Sequence, residues 1–276
     1  MGLLFMEWSL LGLFSLLSLG SAEMTRQGPV FVLEPPNTID FSNSTGTVVE
    51  CAARGFPQPR VVWVRGDGQQ VDDVPGLRQV FANGTINFLP FRAEDYRQEI
   101  HAQVYRCLAT NSEGSVVSRD VHVRAAVTQP YDTDPGKKYV IVGNSGVLRC
   151  DVPSFVADFV RVQSWVDSSG ATYFPSDRYD GKYLVLPSGE LHIRDVTPED
   201  GFKSFRCRTV HRLTGETQLS ATEGRLVVSE PVASSAPSLP LESKSNTFAF
   251  STGRALGLPC RGQAYPVPVF RWFKFD

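Results

Sequence analysis

The chain of 276 residues is 42% hydrophobic and 20% charged, the balance of an ordinary globular chain that is long enough for two domains. Its 27 Lys and Arg residues against 29 Asp and Glu residues give a formal charge of -2, which excludes binding to nucleic acid through a polycationic surface. The 23 glycines and 19 prolines are scattered and the apolar content is normal, so collagen-like and disordered chains are excluded as well.

The first segment of the chain is an uncharged, mostly apolar run over residues 8–20, which is preceded by Glu7. The run is too short to span a bilayer, and Gly20 and Ala22 place small residues where a signal peptide is cleaved. No Lys or Arg precedes the run, which is atypical of a signal peptide, and a buried N-terminal helix is the alternative. We predict a signal peptide over residues 1–22, and therefore a secreted or extracellular chain.

The cysteines are spaced as pairs. Cys51 and Cys107 lie 56 positions apart, and Cys150 and Cys207 lie 57 apart, whereas Cys260 has no partner in the sequence. There is no Cys-x-x-Cys motif and the four histidines stand at no ligand spacing from the cysteines, which argues against zinc. Because secretion permits disulfides, we predict two of them, Cys51–Cys107 and Cys150–Cys207.

One tryptophan follows the first cysteine of each repeat. Trp63 and Trp272 stand twelve positions after theirs, and Trp165 stands fifteen after its own. In immunoglobulin sandwiches a tryptophan at this spacing packs on the disulfide that joins the two sheets. We therefore predict an all-β fold of tandem immunoglobulin-like sandwiches of the I-set type, two complete and one truncated, with these three tryptophans in their cores.

Short β-rich runs between the cysteines fit this fold. Runs at 47–53 and 61–64 are separated by a segment that contains Pro-x-Pro, and the same Pro-x-Pro pattern recurs within residues 264–268. We predict immunoglobulin-like domain 1 over 23–125 and domain 2 over 126–230. Residues 231–276 are expected to form a linker and the N-terminal half of domain 3, with the partner of Cys260 a further 50 to 60 residues along the chain.

No catalytic, cofactor-binding or metal site is predicted, and the chain is not expected to be an enzyme. Ser145 lies in a Gly- and Asn-containing turn before a strand, with no paired histidine or aspartate to activate it. Two Asn-x-Thr sequons, at Asn43 and Asn83, are predicted sites of N-linked glycans.

Several long strings resemble one family, the arthropod Down syndrome cell adhesion molecules (Dscam). Residues 40–46, 74–79 and 90–107 resemble the first immunoglobulin domain of that family. Residues 153–160, 179–194 and 198–207 resemble its second domain. The resemblance implies a neuronal and immune cell-surface receptor that binds identical copies of itself, with alternative exons that rewrite parts of some domains, here about residues 128–179.

The resemblance also implies that second domains pair antiparallel through an early edge strand, which matches residues 131–141. In this segment acidic residues precede basic ones, so an antiparallel copy would bring opposite charges together. The predicted interface residues are Asp132, Asp134, Lys137, Lys138, Tyr139 and Val140. The alternative is an ordinary edge strand whose charges protect it from aggregation.

The predicted function is therefore isoform-specific homophilic adhesion at the extracellular side of the plasma membrane, with the chain itself as partner. Microbial surfaces and guidance ligands are further candidate partners, and a membrane is expected only through a C-terminal segment beyond this chain. Two alternatives stay open. One is a secreted immunoglobulin protein that recognises microbial patterns, and the other is the ectodomain of an enzyme-linked receptor.

Overall fold

A computed structural model describes residues 25–176, 178–239, 252–253, 257–258 and 260–274. The predicted signal peptide lies outside the described residues. Contacts group the chain into two compact units. The first holds the described residues up to Ile39 together with Val48–Phe88 and Ala102–Val123, and the second holds Asp40–Thr47, Leu89–His101 and the described residues from Arg124 onward. The domain boundaries after residues 125 and 230 stay predictions.

The sequence up to residue 126 forms short strands that end at turns rich in glycine, proline and asparagine. The strands are β1 (Gln27–Leu33), β2 (Thr38–Ser42), β3 (Thr47–Val49), β4 (Ala52–Phe56), β5 (Arg60–Arg65), β6 (Arg78–Val80), β7 (Ile86–Phe88), β8 (Ala102–Asn111), β9 (Gly114–Val117) and β10 (Val121–Ala126). The sheet orders are β1-β4, β3-β7-β6 and β2-β10-β8-β5, with β9 paired to β8. A 3-10 helix (Ala93–Asp95) and the one-turn helix α1 (Gln98–His101) precede β8.

The later sequence repeats this arrangement. Its strands are β11 (Lys137–Ile141), β12 (Gly146–Leu148), β13 (Val160–Asp167), β14 (Thr172–Tyr173), β15 (Tyr183–Val185), β16 (Leu191–Ile193), β17 (Ser204–His211), β18 (Thr217–Leu219), β19 (Gly224–Ser229), β20 (Ser235–Ser238) and β21 (Gln263–Tyr265). A 3-10 helix (Pro198–Phe202) precedes β17. The sheet orders are β12-β16-β15, β11-β19-β17-β13-β14 with β18 paired to β17, and β20-β21.

The core of the first unit is built around a disulfide. Cys51 and Cys107 are bonded with their Cα atoms 6.5 Å apart, and Trp63 on β5 faces Cys107 on β8. The buried indole Nε1 of Trp63 donates to the carbonyl oxygen of Gly84 at 2.9 Å. Gly84 has a φ of 91°, and a Cβ there would lie 2.1 Å from the carbonyl oxygen of Cys51, so the turn requires glycine.

The second unit repeats this construction. Cys150 and Cys207 are bonded with their Cα atoms 6.0 Å apart, and the fully buried Trp165 faces Cys207 in the β13–β17 pair. The Trp165 indole donates to the carbonyl of Gly189 at 2.8 Å, and Gly189 has a φ of 89°. A Cβ on Gly189 would lie 2.7 Å from Cβ of Val162, so close packing also excludes a side chain here.

The third cysteine–tryptophan repeat is not built in the same way. Cys260 is free and exposed, and Trp272 is 64% exposed, so the prediction of a core position for Trp272 is wrong for this structure. The physical reason is that β20 and β21 pair only with each other among the described residues. A two-stranded sheet offers no opposite layer that could cover an indole ring.

Candidate recognition surface

The segment predicted to form one edge strand, residues 131–141, is divided in the structure. Asp134 exchanges backbone hydrogen bonds with Asp151 at 3.2 and 2.9 Å. Only β11 runs along β19, in a parallel ladder from Lys137 to Ile141. Gly136, with a φ of 64°, lies between the two parts and redirects the chain. The acidic and the basic end of the segment are therefore hydrogen-bonded to different parts of the fold.

The acidic end is held by its own chain. The carboxylate of Asp134 accepts hydrogen bonds from Oγ1 of Thr222 at 2.6 Å and from N of Gly136 at 2.9 Å, and these bonds lower its pKa. The exposed Asp132 has a longer contact with Nε2 of Gln218, at 3.4 Å. Both bonds are made to Oδ1 by uncharged groups, so the exposed carboxylate of Asp134 keeps its negative charge, and its pairing with a lysine of a second copy stays a prediction.

The basic end is exposed up to Tyr139. The side chains of Lys137 and Lys138 face solvent, and Tyr139 is 73% exposed. Val140 is only 1% exposed and packs in the core with Leu148. The prediction that Val140 belongs to the interface is wrong, because alternate side chains of a strand point to opposite faces and this one points inward.

β11 is the last strand of its sheet, so among the described residues one side of its backbone has no neighbouring strand. The carbonyl of Gly136 accepts from β19 at 3.2 Å, and the N–H of Val142 donates to β19 at 3.0 Å. In a parallel ladder the groups that point the same way come from alternate residues. The backbone groups of Lys137, Tyr139 and Ile141 therefore point away from β19, toward the open edge.

The end of this open edge is contacted by residues from β21. The N–H of Ile141 donates to Oε1 of Gln263 at 3.0 Å, and Nε2 of Gln263 donates to the carbonyl of Tyr139 at 3.3 Å. Asn144 holds Ala264, the residue after Gln263, through a pair of hydrogen bonds. Its Nδ2 donates to the carbonyl of Ala264 at 2.9 Å, and its Oδ1 accepts from N of Ala264 at 3.1 Å. The open edge is thus shortened to its first residues, Lys137 to Tyr139.

A charged cluster within the second unit joins Arg261, just before β21, to residues beside β12 and β16. The carboxylate of Glu190 accepts from Nε of Arg149 at 2.9 Å, contacts Nε2 of His192 at 3.3 Å and pairs with the guanidinium of Arg261. Burial by itself would raise the pKa of Glu190, but the hydrogen bond with His192 and the charges of Arg261 and Arg149 lower it to about 2. Glu190 therefore stays ionised well below neutral pH.

A second charged cluster in the same unit surrounds Asp40. Its carboxylate accepts from Nε of Arg124 at 2.9 Å and pairs with Arg212, and the hydrogen bond with Arg124 is the main cause of its lowered pKa. Both guanidinium groups lie 4.9 Å from the ring centre of Phe159, which they cover. Arg124 also bonds Asp158 at 3.0 Å. No local motif signals this cluster, since its members are spread over 172 positions of sequence.

The two predicted glycan sites differ in accessibility. Asn83 is exposed on a turn, and its Oδ1 accepts from N of Thr85 at 3.0 Å. Asn43 is half-buried, and its Nδ2 donates to the carbonyl of Phe91 at 3.0 Å while its Oδ1 accepts from N of Thr128 at 2.8 Å. A glycan on Asn43 would have to replace one of the hydrogens of an amide that already bonds within the fold.

Neither a membrane span nor a metal cluster is found in the part of the chain that the structure describes. No helix there is long and apolar enough to cross a bilayer. No group of three His, Cys, Asp or Glu side chains in the same residues could hold a metal ion.

Both units have a sandwich core in which a buried tryptophan packs on a disulfide and its indole meets a glycine carbonyl. These features define a tandem immunoglobulin-domain protein. No protein-family model matches the chain. Its sequence is 60% identical over 251 residues to cell adhesion molecule Dscam1 of Drosophila melanogaster, across 91% of this chain and 12% of that protein.

Solved structures agree with the sequence comparison. The crystal structure of the N-terminal four Ig domains of Dscam1 isoform 6.9 matches with a TM-score of 0.87 at 60% identity, over 91% of this chain and 65% of that one. A structure described as the structural basis for Dscam isoform specificity matches with a TM-score of 0.82 at 59% identity, over 91% of this chain and 64% of that one.

Over the length compared, the chain belongs to the Dscam family of immunoglobulin-domain cell adhesion molecules, which are not enzymes. The predicted family resemblance and the predicted tandem immunoglobulin fold are confirmed. The chain spans 12% of the length of the curated Dscam1 relative.

Proposed function

We propose that this chain is the N-terminal part of a cell-surface recognition receptor that binds identical copies of itself at the extracellular side of the plasma membrane. Relatives described as cell adhesion molecules and a relative's structure described in terms of isoform specificity support this proposal. In such a receptor, small sequence changes at a self-complementary surface would decide which copies bind, which suits self-recognition between neurons.

The open edge of β11 is the observation that carries the proposal. An exposed strand edge promotes pairing with another chain, and proteins commonly protect it with charged side chains. Lys137 and Lys138 fit that protective role, but Tyr139 does not. A large aromatic side chain that is 73% exposed beside free backbone groups is typical of a residue that packs against a partner. Two antiparallel copies of β11 would bury both tyrosines through a twofold-symmetric contact.

Replacement of Tyr139 by lysine tests the proposal. The variant Tyr139→Lys should lower the self-association constant at least about tenfold, because aromatic packing is lost and a third positive charge is added to the edge. The purified chain is coupled to beads, and bead aggregation is followed together with sedimentation equilibrium of the free chain. Circular dichroism confirms that the variant is folded.

The matched control is Phe174→Lys, which adds the same charge at an aromatic residue that is 60% exposed and directly follows β14, at the opposite end of the sheet from β11. This control should aggregate as the wild-type chain does. Full aggregation by folded Tyr139→Lys would overturn the assignment of β11 as the self-binding strand. A wild-type chain that stays monomeric at every concentration would also overturn this assignment.

A further inference from the structure

We infer that Gln263 determines the register in which two copies of β11 pair, and this inference rests on the proposed self-binding function. Gln263 belongs to β21 and lies 122 positions along the chain from the residue it contacts. Its side-chain amide bonds both Ile141 and Tyr139 on the side of β11 that faces away from β19. It therefore lies where the backbone of a second copy would run.

The bonds of Gln263 decide which backbone groups remain for a partner. The N–H of Ile141 has a single hydrogen, which Gln263 accepts, and the carbonyl of Ile141 accepts from N of Asn144 at 3.1 Å. The carbonyl of Tyr139 has a second lone pair beside the 3.3 Å bond, and its N–H points outward. Lys137 presents both of its backbone groups to the open edge. The partner's strand can therefore use Lys137 and Tyr139, but not Ile141.

This restriction separates two registers. In an antiparallel pair, residues that face each other at hydrogen-bonded positions exchange both of their backbone bonds. A pair centred on Tyr139 would place Lys137 opposite Ile141, whose N–H is already bonded, and would push the partner strand into Gln263. A pair centred on Lys138 places Lys137 opposite Tyr139 in both directions, and it shares with Gln263 only the carbonyl of Tyr139, which has a second lone pair.

The ends of β11 also fit the register centred on Lys138. Beyond Lys137 the partner would continue with Gly136 and then Pro135, which would face Ile141. Pro135 has no N–H to donate, and the N–H of Ile141 is already bonded to Gln263, so these two residues form no backbone hydrogen bond with each other. The chain also turns away at Gly136, where φ is 64°. The paired stretch therefore ends before the position that Gln263 occupies. Lys137 of one copy faces the ring of Tyr139 of the other copy, a favourable cation–aromatic pair.

Disulfide trapping measures the register directly. All variants carry Cys260→Ser, so that the exposed thiol of Cys260 does not compete. Lys138→Cys reports the register centred on Lys138, where facing Cα atoms at a non-hydrogen-bonded position come to about 4.5 Å, within reach of a disulfide. Tyr139→Cys reports the other register. We expect dimer formation under mild oxidation to be faster for Lys138→Cys.

The deciding step is to add Gln263→Ala to each cysteine variant. Removal of the side chain frees the N–H of Ile141 and opens the edge. The ratio of the Tyr139→Cys rate to the Lys138→Cys rate should therefore rise on the order of tenfold, because two more backbone bonds become available in the Tyr139-centred register. Gln163→Ala, on an exposed glutamine of β13, is the matched control and should leave the ratio unchanged.

The outcomes separate the inference from the function. If both cysteine variants form dimers and Gln263→Ala leaves their ratio unchanged, the register role of Gln263 is overturned while self-binding stands. If neither variant forms a dimer in either background while the chain is folded and Tyr139→Lys has no effect on aggregation, the proposed function itself is overturned. Faster amide exchange at Ile141 in Gln263→Ala verifies that the contact was removed.

Discussion

Replacement of Asn144 by alanine should release the segment that shortens the β11 edge. Asn144 is 3% exposed, and its side chain supplies partners for both backbone groups of Ala264, which is 1% exposed. In Asn144→Ala each of these two buried groups loses its partner, at a cost of about 1–3 kcal/mol per group. The free energy that holds Ala264 in place should fall by about 2–6 kcal/mol, and the segment would detach rather than stay buried without hydrogen bonds.

Amide hydrogen exchange of the folded chain is the appropriate measurement. Under conditions in which exchange reports the opening equilibrium, a loss of about 2 kcal/mol accelerates exchange at Ala264 roughly 30-fold, and Ile141 should follow because its partner Gln263 moves with the segment. Amides of β17 should keep their protection. The control Asn87→Ala changes a half-buried asparagine on β7 and should leave exchange at Ala264 as it was. Unchanged exchange at Ala264 in Asn144→Ala would show that the pair of side-chain bonds does not hold the segment.

Three further predictions concern stability and modification. Gly189→Ala should lower the free energy of unfolding by about 2–4 kcal/mol in denaturant titrations, whereas Gly170→Ala, at a positive φ in open space, should cost only about 1–2 kcal/mol; equal losses would contradict the packing argument. Because the pKa of Glu190 is lowered from 4.5 to about 2, its stabilising effect of about 3 kcal/mol is present above pH 4.5 and is lost as the pH falls toward 2, so Glu190→Gln and wild-type unfolding curves should differ at pH 7 and converge near pH 2. Mass spectrometry of the secreted chain should find a glycan on Asn83 at higher occupancy than on Asn43, and the reverse order would contradict the accessibility argument.

The repeats of cysteine and tryptophan were sufficient to predict the sandwich cores. The bonded pairs Cys51–Cys107 and Cys150–Cys207, with a tryptophan packed near each, follow from spacing within one domain, because a disulfide and a large ring can meet only if the strands between them fold back. Spacing alone failed for Trp272. The indole becomes buried only where a second sheet covers it, and this depends on strands that the spacing does not describe.

The interface prediction assumed that residues 131–141 form one straight strand. The order of acidic and basic residues in 131–141 suggested one strand with opposite charges at its ends, but the structure turns the chain at Gly136 and bonds Asp134 to Thr222. The exposure of Tyr139 and the burial of Val140 follow from the alternation of side chains along β11. The sequence shows this alternation, but it does not show which of the two faces of the strand is buried.

The sequence by itself determined the sandwich class, the paired cysteines and the family. Those features reside in local patterns and in spacings within one repeat. Only the tertiary structure decided which backbone groups of β11 face outward and that Gln263 and Asn144 bind residues about 120 positions away. The physical reason is that a strand's open side depends on the register with its neighbour, here β19, and register is set by the packing of the whole sheet.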